Sequence, residues 1–211
     1  VNPKLNAVVV LAADRALDEA RARDAETARG ESQGPLHGVP ITLKDSHDTE
    51  GIVTTGGTTG RAGKTPDADS PPVARLRAAG AVVLGKTNTP EFGAGASTFN
   101  EVFGRTRNPW NPERTSGGST GGGASALASG MIAIAEGSDL GGSLRIPASF
   151  CGLVGLRPSP GLVPTHPTGW LWDDLAVSGP MARTAEDVAL ALQVMAGPDP
   201  RSPRSQSIRG R

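Results

Sequence analysis

The chain has 211 residues, 36% of them hydrophobic, and its 21 Lys and Arg residues balance 21 Asp and Glu residues. This length and this hydrophobic content are typical of a globular protein with one sizeable core. A balanced charge produces no basic field that would attract nucleic acid, so we expect no direct nucleic-acid partner. Cys151 is the only cysteine, which excludes an internal disulfide framework and favours a reducing compartment, with the cytoplasm as the default.

The first apolar run covers residues 7–13 and is too short to cross a bilayer, so we expect no membrane association. The chain begins with Val1 instead of Met, and we expect it to be a truncated portion of a larger domain. Glycine is abundant, at 29 residues, which is about twice its usual share. Tight turns and close backbone approaches follow from that abundance.

Helical and strand patterns alternate along the chain. In order, they predict an amphipathic surface helix (7–29) ending at Gly30, a strand (38–45), a helix followed by a buried strand (71–88), a helix of small residues (121–130), a strand (131–137), and a helix capped by Thr184 (184–197). This order predicts an α/β fold with a mixed or parallel sheet flanked by helices. We expect one partial domain over 1–197 and a disordered or truncated tail over 198–211.

One motif resembles a nucleotide-binding site. The segment GAVVLGKT at 80–87 fits the phosphate-loop pattern, with Lys86 and Thr87 as the phosphate and magnesium contacts. Its four variable positions are Ala, Val, Val and Leu, which predict a buried strand where a phosphate loop needs an exposed turn. We therefore interpret the segment as a strand that ends in a turn.

Metal and thiol chemistry have little support in the sequence. His37, His47 and His166 lack ligand spacing, so we expect no metal and no cofactor. His47 beside Asp48 leaves a Ser-His-Asp triad open as a minor alternative. Cys151 lies among apolar residues, which favours a buried structural thiol over a nucleophile.

Serine chemistry with a lysine base needs no histidine, and three segments supply it. Lys44 ends a buried strand, Ser119 lies in TSGGSTGGG, and Ser143 lies in SDLGGSLR. Burial disfavours a charged ammonium and can lower the pKa of a lysine by several units, which allows it to act as a base. The two glycines before Ser143 let backbone amides approach a developing oxyanion without interference from a Cβ atom.

These segments resemble the amidase signature family. The similarity extends from about residue 34 to residue 197 and is carried, in order, by GVPITLKD, AAGAVVLGKTN, TRNPWNP, TSGGSTGGGASALASG, GSDLGGSLRIPASFCGLVGLRPS and SGPMARTAEDVALAL. The separations of 75 residues from Lys44 to Ser119 and 24 from Ser119 to Ser143 also follow the family pattern. The resemblance implies the mixed sheet of that fold and a Ser-cis-Ser-Lys triad.

In that triad Ser143 is the nucleophile, Ser119 bridges behind a cis Gly118–Ser119 peptide, and Lys44 is the base. The oxyanion hole consists of backbone amides, and the family positions place supporting groups around the triad. The oxyanion donors are Leu140, Gly141, Gly142 and Ser143, and the supporting residues are Gly118, Thr120, Asp139 and Arg145.

Several assignments stay open on the sequence alone. Asp139 and Arg145 could instead form a surface ion pair, and Thr120, like Ser116, could serve only in a turn or a helix cap. Trp170 and Trp172 could line an acyl pocket or pack in the core. Ser46, Thr120 and Leu140 depart from the usual family residues.

The implied function is hydrolysis of a small-molecule carboxylic amide to a carboxylate and ammonia or an amine. The first alternative is the glutaminase component of a glutamyl/aspartyl-tRNA amidotransferase, its A subunit, which belongs to the same family and supplies ammonia to misacylated tRNA together with partner subunits. The second alternative is a catalytically silent fragment or binding module with the same scaffold. The sequence also leaves a homo-oligomer possible.

Overall fold

A computed structural model describes residues 1–170 and 172–205. Its helices are α1 (Asn2–Leu5), α2 (Ala13–Ala28), α3 (Pro71–Ala78), α4 (Gly121–Ala128), α5 (Arg145–Cys151) and α6 (Ala185–Met195). Its strands are β1 (Val8–Leu11), β2 (Pro40–Lys44), β3 (Val82–Thr87), β4 (Phe99–Asn100), β5 (Gly104–Arg105), β6 (Ile134–Asp139), β7 (Val154–Gly155) and β8 (Val177–Ala182).

Six of these strands form one mixed sheet in the order β1-β3-β2-β6-β8-β7, and β4 pairs with β5 in a separate hairpin. Strand β2 runs parallel to β3 and to β6, whereas β1, β8 and β7 join their neighbours in antiparallel fashion. The predicted α/β fold with a mixed sheet is confirmed. Because β2 and β6 are parallel neighbours, their carboxyl ends meet at the same edge of the sheet.

The predicted helix over 7–29 is wrong in its first six residues. Residues Val8–Leu11 form strand β1, which pairs with β3, and α2 begins only at Ala13. Three consecutive valines favour a strand, and the edge of β3 offers them a partner that the sequence does not reveal. The carboxyl end agrees with the prediction, because α2 ends at Ala28 and Gly30 adopts a left-handed φ of 75°.

Helices cover both faces of the sheet and enclose a separate apolar cluster on each. Leu43 and Ile134 belong to the cluster that includes residues of α3 and α6, and Ala135 belongs to the cluster that includes residues of α4 and α5. Successive residues of a strand point to opposite faces, which explains why Ile134 and Ala135 enter different clusters. Thr184 caps α6 as predicted, because its side chain accepts a hydrogen bond from the Asp187 amide at 3.1 Å.

Helix α4 lies unusually close to the sheet because it begins with three glycines. A Cβ atom on Gly122 would lie 2.3 Å from the Asn88 amide nitrogen and 2.8 Å from the Ala7 carbonyl oxygen. The small-residue helix predicted over 121–130 is therefore confirmed, and close packing against the neighbouring backbone explains why its first residues are glycines. The strand predicted over 131–137 begins later, at Ile134, and continues to Asp139.

The carboxyl-terminal part of the chain is described only to Ser205. Within it Asp199 and Ser202 form an isolated β-bridge, and the remainder of the predicted tail, 206–211, lies outside the described residues. Among the helices that the structure describes, none is both long enough and apolar enough to cross a membrane.

Candidate active site

Strand β2 delivers Lys44 to the interior of the protein. The strand is buried from Ile41 onward, and the Lys44 side chain at its carboxyl end is 0% exposed. Burial lowers the pKa of Lys44 to about 8 from its ordinary value near 10.5, although the negative charges of Glu136 and Asp139 oppose this shift. A pKa near 8 leaves about one-tenth of the lysine neutral at pH 7.

The Lys44 amine forms hydrogen bonds with two serine hydroxyls. Lys44 Nζ donates to Ser119 Oγ at 2.6 Å and to Ser138 Oγ at 3.0 Å. Ser119 immediately precedes the turn into α4, and its peptide bond with Gly118 is cis, as the resemblance implied. Ser138 was not among the candidates from the sequence, although its place at the end of β6 beside the end of β2 could have indicated it.

Ser143 lies on the loop between β6 and α5, and the backbone joins this loop to the Ser119 segment. The amide of Thr120, the residue after Ser119, donates to the Ser143 carbonyl oxygen at 3.1 Å. The Thr120 hydroxyl donates to the Ser138 carbonyl oxygen at 3.3 Å and does not cap α4. Ser143 is half-buried, so a substrate can approach it from outside.

Asp139 organises the loop that carries Ser143. Its carboxylate is 0% exposed and accepts from the Gly142 amide at 2.8 Å and the Leu144 amide at 3.1 Å. Arg145 adds two further hydrogen bonds at 3.0 Å each. Burial alone would raise the pKa of Asp139, but the bonds from Arg145, Leu144 and Gly142 outweigh it and lower the pKa to about 2. This buried carboxylate does not belong to a surface ion pair.

The hydrogen bonds of Asp139 separate the predicted oxyanion donors into one amide that they occupy and three that they do not. The Gly142 amide is already bound to Asp139. The amides of Leu140, Gly141 and Ser143 have no acceptor in the part of the chain that the structure describes. A backbone amide without a protein partner remains free to bind an oxyanion.

Two tryptophans lie near the exposed side of this loop. Trp170 is 80% exposed and Trp172 is 73% exposed, so the alternative that they pack in the core is wrong. Together with Leu140 and Leu175 they line an open cavity of about 690 Å³. Their predicted role in an acyl pocket stays a prediction.

Strand β3 contains the segment that resembles a phosphate loop. Lys86 and Thr87 are fully buried within the strand. Lys86 Nζ donates to the His47 carbonyl oxygen, to Thr49 Oγ1 at 2.8 Å and to Thr54 Oγ1 at 3.2 Å. Burial lowers the pKa of Lys86 to about 8. The interpretation as a strand is confirmed, but no motif had indicated a second buried lysine.

The remaining candidates have other surroundings. His47 Nδ1 contacts Glu136, which replaces Asp48 as the carboxylate partner considered from the sequence. Burial raises the pKa of the Cys151 thiol to about 12, which suits an unreactive structural thiol. Within residues 1–170 and 172–205 no cluster of three or more His, Cys, Asp or Glu side chains is placed to hold a metal ion.

Comparison with known proteins identifies the family to which the chain is similar. The model of the Amidase family matches residues 1–210. The A subunit of glutamyl-tRNA(Gln) amidotransferase from Carboxydothermus hydrogenoformans is 47% identical over 208 residues, a match that covers 99% of this chain and 43% of that protein. The chain thus spans less than half the length of this relative.

Solved structures show the same similarity. A bacterial aryl acylamidase of the amidase signature family superposes with a TM-score of 0.93 at 37% identity, covering 98% of this chain and 44% of that one. The 6-aminohexanoate cyclic dimer hydrolase gives 0.91 at 39% identity, covering 100% of this chain and 43% of that one. The family model, the matching fold and the share of the chain that they cover lead to one assignment. The chain belongs to the amidase signature family.

Proposed function

We propose that this protein hydrolyses a small-molecule carboxylic amide through an acyl-enzyme on Ser143. One observation carries the proposal: the fully buried Lys44 amine lies 2.6 Å from Ser119 Oγ. A lysine with a pKa lowered to about 8 is an effective base near neutral pH. Ser119 then connects this base to Ser143, whose loop is joined to the Ser119 segment through Thr120.

The reaction proceeds in two balanced stages. Ser143 Oγ attacks the amide carbon while its proton passes to Ser119 and the Ser119 proton passes to neutral Lys44. The C–N bond breaks, and the proton returns through Ser119 to the leaving nitrogen, which departs as ammonia or an amine. Water then attacks the ester carbon and gives a proton through Ser119 to Lys44, the C–O bond to Ser143 breaks, and this proton returns through Ser119 to Ser143 Oγ. The carboxylic acid leaves and loses its proton to solvent as the carboxylate.

Backbone amides would stabilise the oxyanion of both tetrahedral intermediates. The amides of Leu140, Gly141 and Ser143 support this role, since they lack other partners in the described chain, and the Gly142 amide shapes the loop by binding Asp139. A single oxyanion donor contributes about 3 kcal/mol to the transition state. Gly118, Thr120, Asp139 and Arg145 support the triad by fixing these segments.

A second candidate is the glutaminase component of a tRNA-dependent amidotransferase. It is favoured by the 47% identity to the A subunit of such an enzyme, against 39% to the cyclic dimer hydrolase. In that case partner subunits would be required, and tRNA would be bound by the assembly instead of this chain.

A catalytically silent fragment of the same fold is the third candidate. For all three we propose a cytoplasmic location, which the single buried, free Cys151 supports.

The decisive experiment is labelling of the full-length protein with a serine-reactive phosphonate, followed by mass spectrometry. We expect the label on Ser143, and a loss of about 10³-fold or more in kcat for Ser143→Ala and for Lys44→Ala. Ser159→Ala, at an exposed serine, is the matched control and should retain activity. Unchanged hydrolysis by Ser143→Ala, or labelling at another serine, would refute the mechanism.

Substrate assays distinguish the candidates. Hydrolysis of aryl or aliphatic amides by the full-length chain alone supports the amidase. Glutaminase activity that appears only after partner subunits are added supports the amidotransferase. Absence of labelling and of both activities supports the silent fragment.

A further inference from the structure

A second buried polar cluster lies beside the proposed triad, and the steps above do not use its side chains. Glu136 in β6 is 0% exposed, and its Oε2 accepts from the Lys44 backbone amide at 3.4 Å. Its other oxygen, Oε1, contacts His47 Nδ1. A buried carboxylate needs such partners, because desolvation without them is costly.

The two ring nitrogens of His47 face different surroundings. While Nδ1 contacts Glu136, Nε2 lies 3.4 Å from the hydroxyl of Ser178 in β8. His47 and Ser178 also line a cavity of about 280 Å³. The imidazole is therefore held by a carboxylate on one side and reaches solvent on the other, an arrangement that fixes its orientation.

This histidine is connected to the neighbourhood of Lys44 across the sheet. Ser178 lies directly opposite Ser138 in the antiparallel pair of β6 and β8. Side chains directly opposite each other share a face, with Cβ atoms about 5 Å apart. Ser138 Oγ in turn accepts from Lys44 Nζ at 3.0 Å. Polar groups thus extend from the cavity through His47, Ser178 and Ser138 to the proposed base.

Lys86 fixes the loop that follows β2 and carries His47. Its three donors bind His47, Thr49 and Thr54, which fixes the backbone on which His47 is carried. The charges that act on Lys44 are those of Glu136 and Asp139, and the charges that act on Lys86 are those of Asp45, Glu136, Asp48 and Asp69. Strand β8 contributes no charged residue to this region, since its sequence is VSGPMA.

We propose that Glu136 and His47 are positioning residues that set the pH range in which Lys44 serves as the base. This inference rests on the hydrolysis proposed above. The Glu136 carboxylate attracts the Lys44 ammonium and so raises the pKa of Lys44 against the effect of burial. His47 Nδ1 contacts the other carboxylate oxygen, so the imidazole holds the Glu136 side chain in place next to the Lys44 backbone amide.

Removing the charge of Glu136 should make the Lys44 ammonium easier to deprotonate. In Glu136→Gln the attracting charge is gone, so the pKa of Lys44 falls and the acid limb of the kcat/KM profile moves to lower pH, by about one unit. In His47→Ala the Glu136 carboxylate loses the contact that holds it beside Lys44, so its attraction for the Lys44 ammonium weakens and the acid limb moves in the same direction. In His47→Gln the side-chain amide can still donate, and the limb should return to the wild-type position.

The test is to record kcat/KM against pH for these three variants of the full-length protein, together with Thr54→Val as a structural control. Thr54→Val removes one hydrogen bond to Lys86 without changing a charge, so its limb should stay at the wild-type pH even if its activity drops. Shifts in Glu136→Gln and His47→Ala with recovery in His47→Gln support the inference. Unshifted limbs in both of the first two variants overturn it.

Ser143→Ala separates this inference from the proposed function. If Ser143→Ala is inactive while the acid limbs do not move, the hydrolytic mechanism stands and the roles of Glu136 and His47 are refuted. If Ser143→Ala remains active, the triad itself is refuted.

Discussion

Asp139 is the residue on which the shape of the loop carrying Ser143 depends most directly. It binds the amides of Gly142 and Leu144, which flank Ser143 on both sides, and it binds the Arg145 side chain as well. Because its pKa is lowered to about 2, it stays ionised throughout the neutral range. The loop is thus fixed by one carboxylate that touches neither the base nor the bridging serine in the proposed triad.

We expect Asp139→Asn to lower kcat by about 10- to 100-fold with little change in KM, because the oxyanion amides would lose their fixed geometry. Asparagine has one acceptor oxygen where the carboxylate has two. Steady-state kinetics of the full-length protein measures the change in kcat and the change in KM separately. Asp199→Asn is the matched control, since Asp199 also pairs with an arginine, Arg201, but lies outside the site. Equal losses in both variants would show a general effect on folding.

At the scale of elements, the close packing of α4 on the sheet places Ser119 beside Lys44. The helix begins two residues after Ser119, and its first three residues are glycines. Gly122 lies against the backbone of Asn88 and Ala7, where no side chain fits. The position of Ser119 therefore depends on contacts between backbones, which cannot adjust as side chains do.

We expect Gly122→Ala to destabilise the protein by about 3 kcal/mol, because the new methyl group would overlap the Asn88 amide. Thermal unfolding of the full-length protein should show a lower Tm. Gly60→Ala serves as the control, since a Cβ atom there would meet only Thr58 Oγ1, at 3.8 Å. A Tm unchanged in Gly122→Ala would mean that α4 can move away from the sheet.

For the whole molecule, two buried lysines make stability depend on pH. Burial lowers the pKa of both Lys44 and Lys86 to about 8 from 10.5. Above pH 8 the unfolded chain binds more protons than the folded chain, so the free energy of unfolding rises with pH, by about 1 kcal/mol per lysine per pH unit. The Cys151 thiol acts in the opposite sense only above pH 9, because burial raises its pKa from 9.0 to about 12.

Urea denaturation between pH 8 and 9 should therefore show increasing stability. Lys44→Met should reduce the increase to about half, because one of the two lysines is removed. Lys64→Met, at an exposed lysine, should leave it unchanged. A free energy of unfolding that falls between pH 8 and 9 in the wild-type protein would contradict the assigned burial of both amines.

The sequence by itself determined the family, the α/β class and most helices and strands, because glycine-rich motifs and apolar periodicity are local features. It also identified Lys44, Ser119 and Ser143 as candidates from their motifs and spacing. Only the tertiary structure decided that Val8–Leu11 is a strand, since the edge of β3 that it pairs with lies about 75 residues away in the chain. Likewise, only the sheet order brings Ser138 and Glu136 to Lys44, whereas His47 lies in the turn that follows Lys44. The lowered pKa of both buried lysines arises from desolvation, a property of the folded interior that no local pattern records.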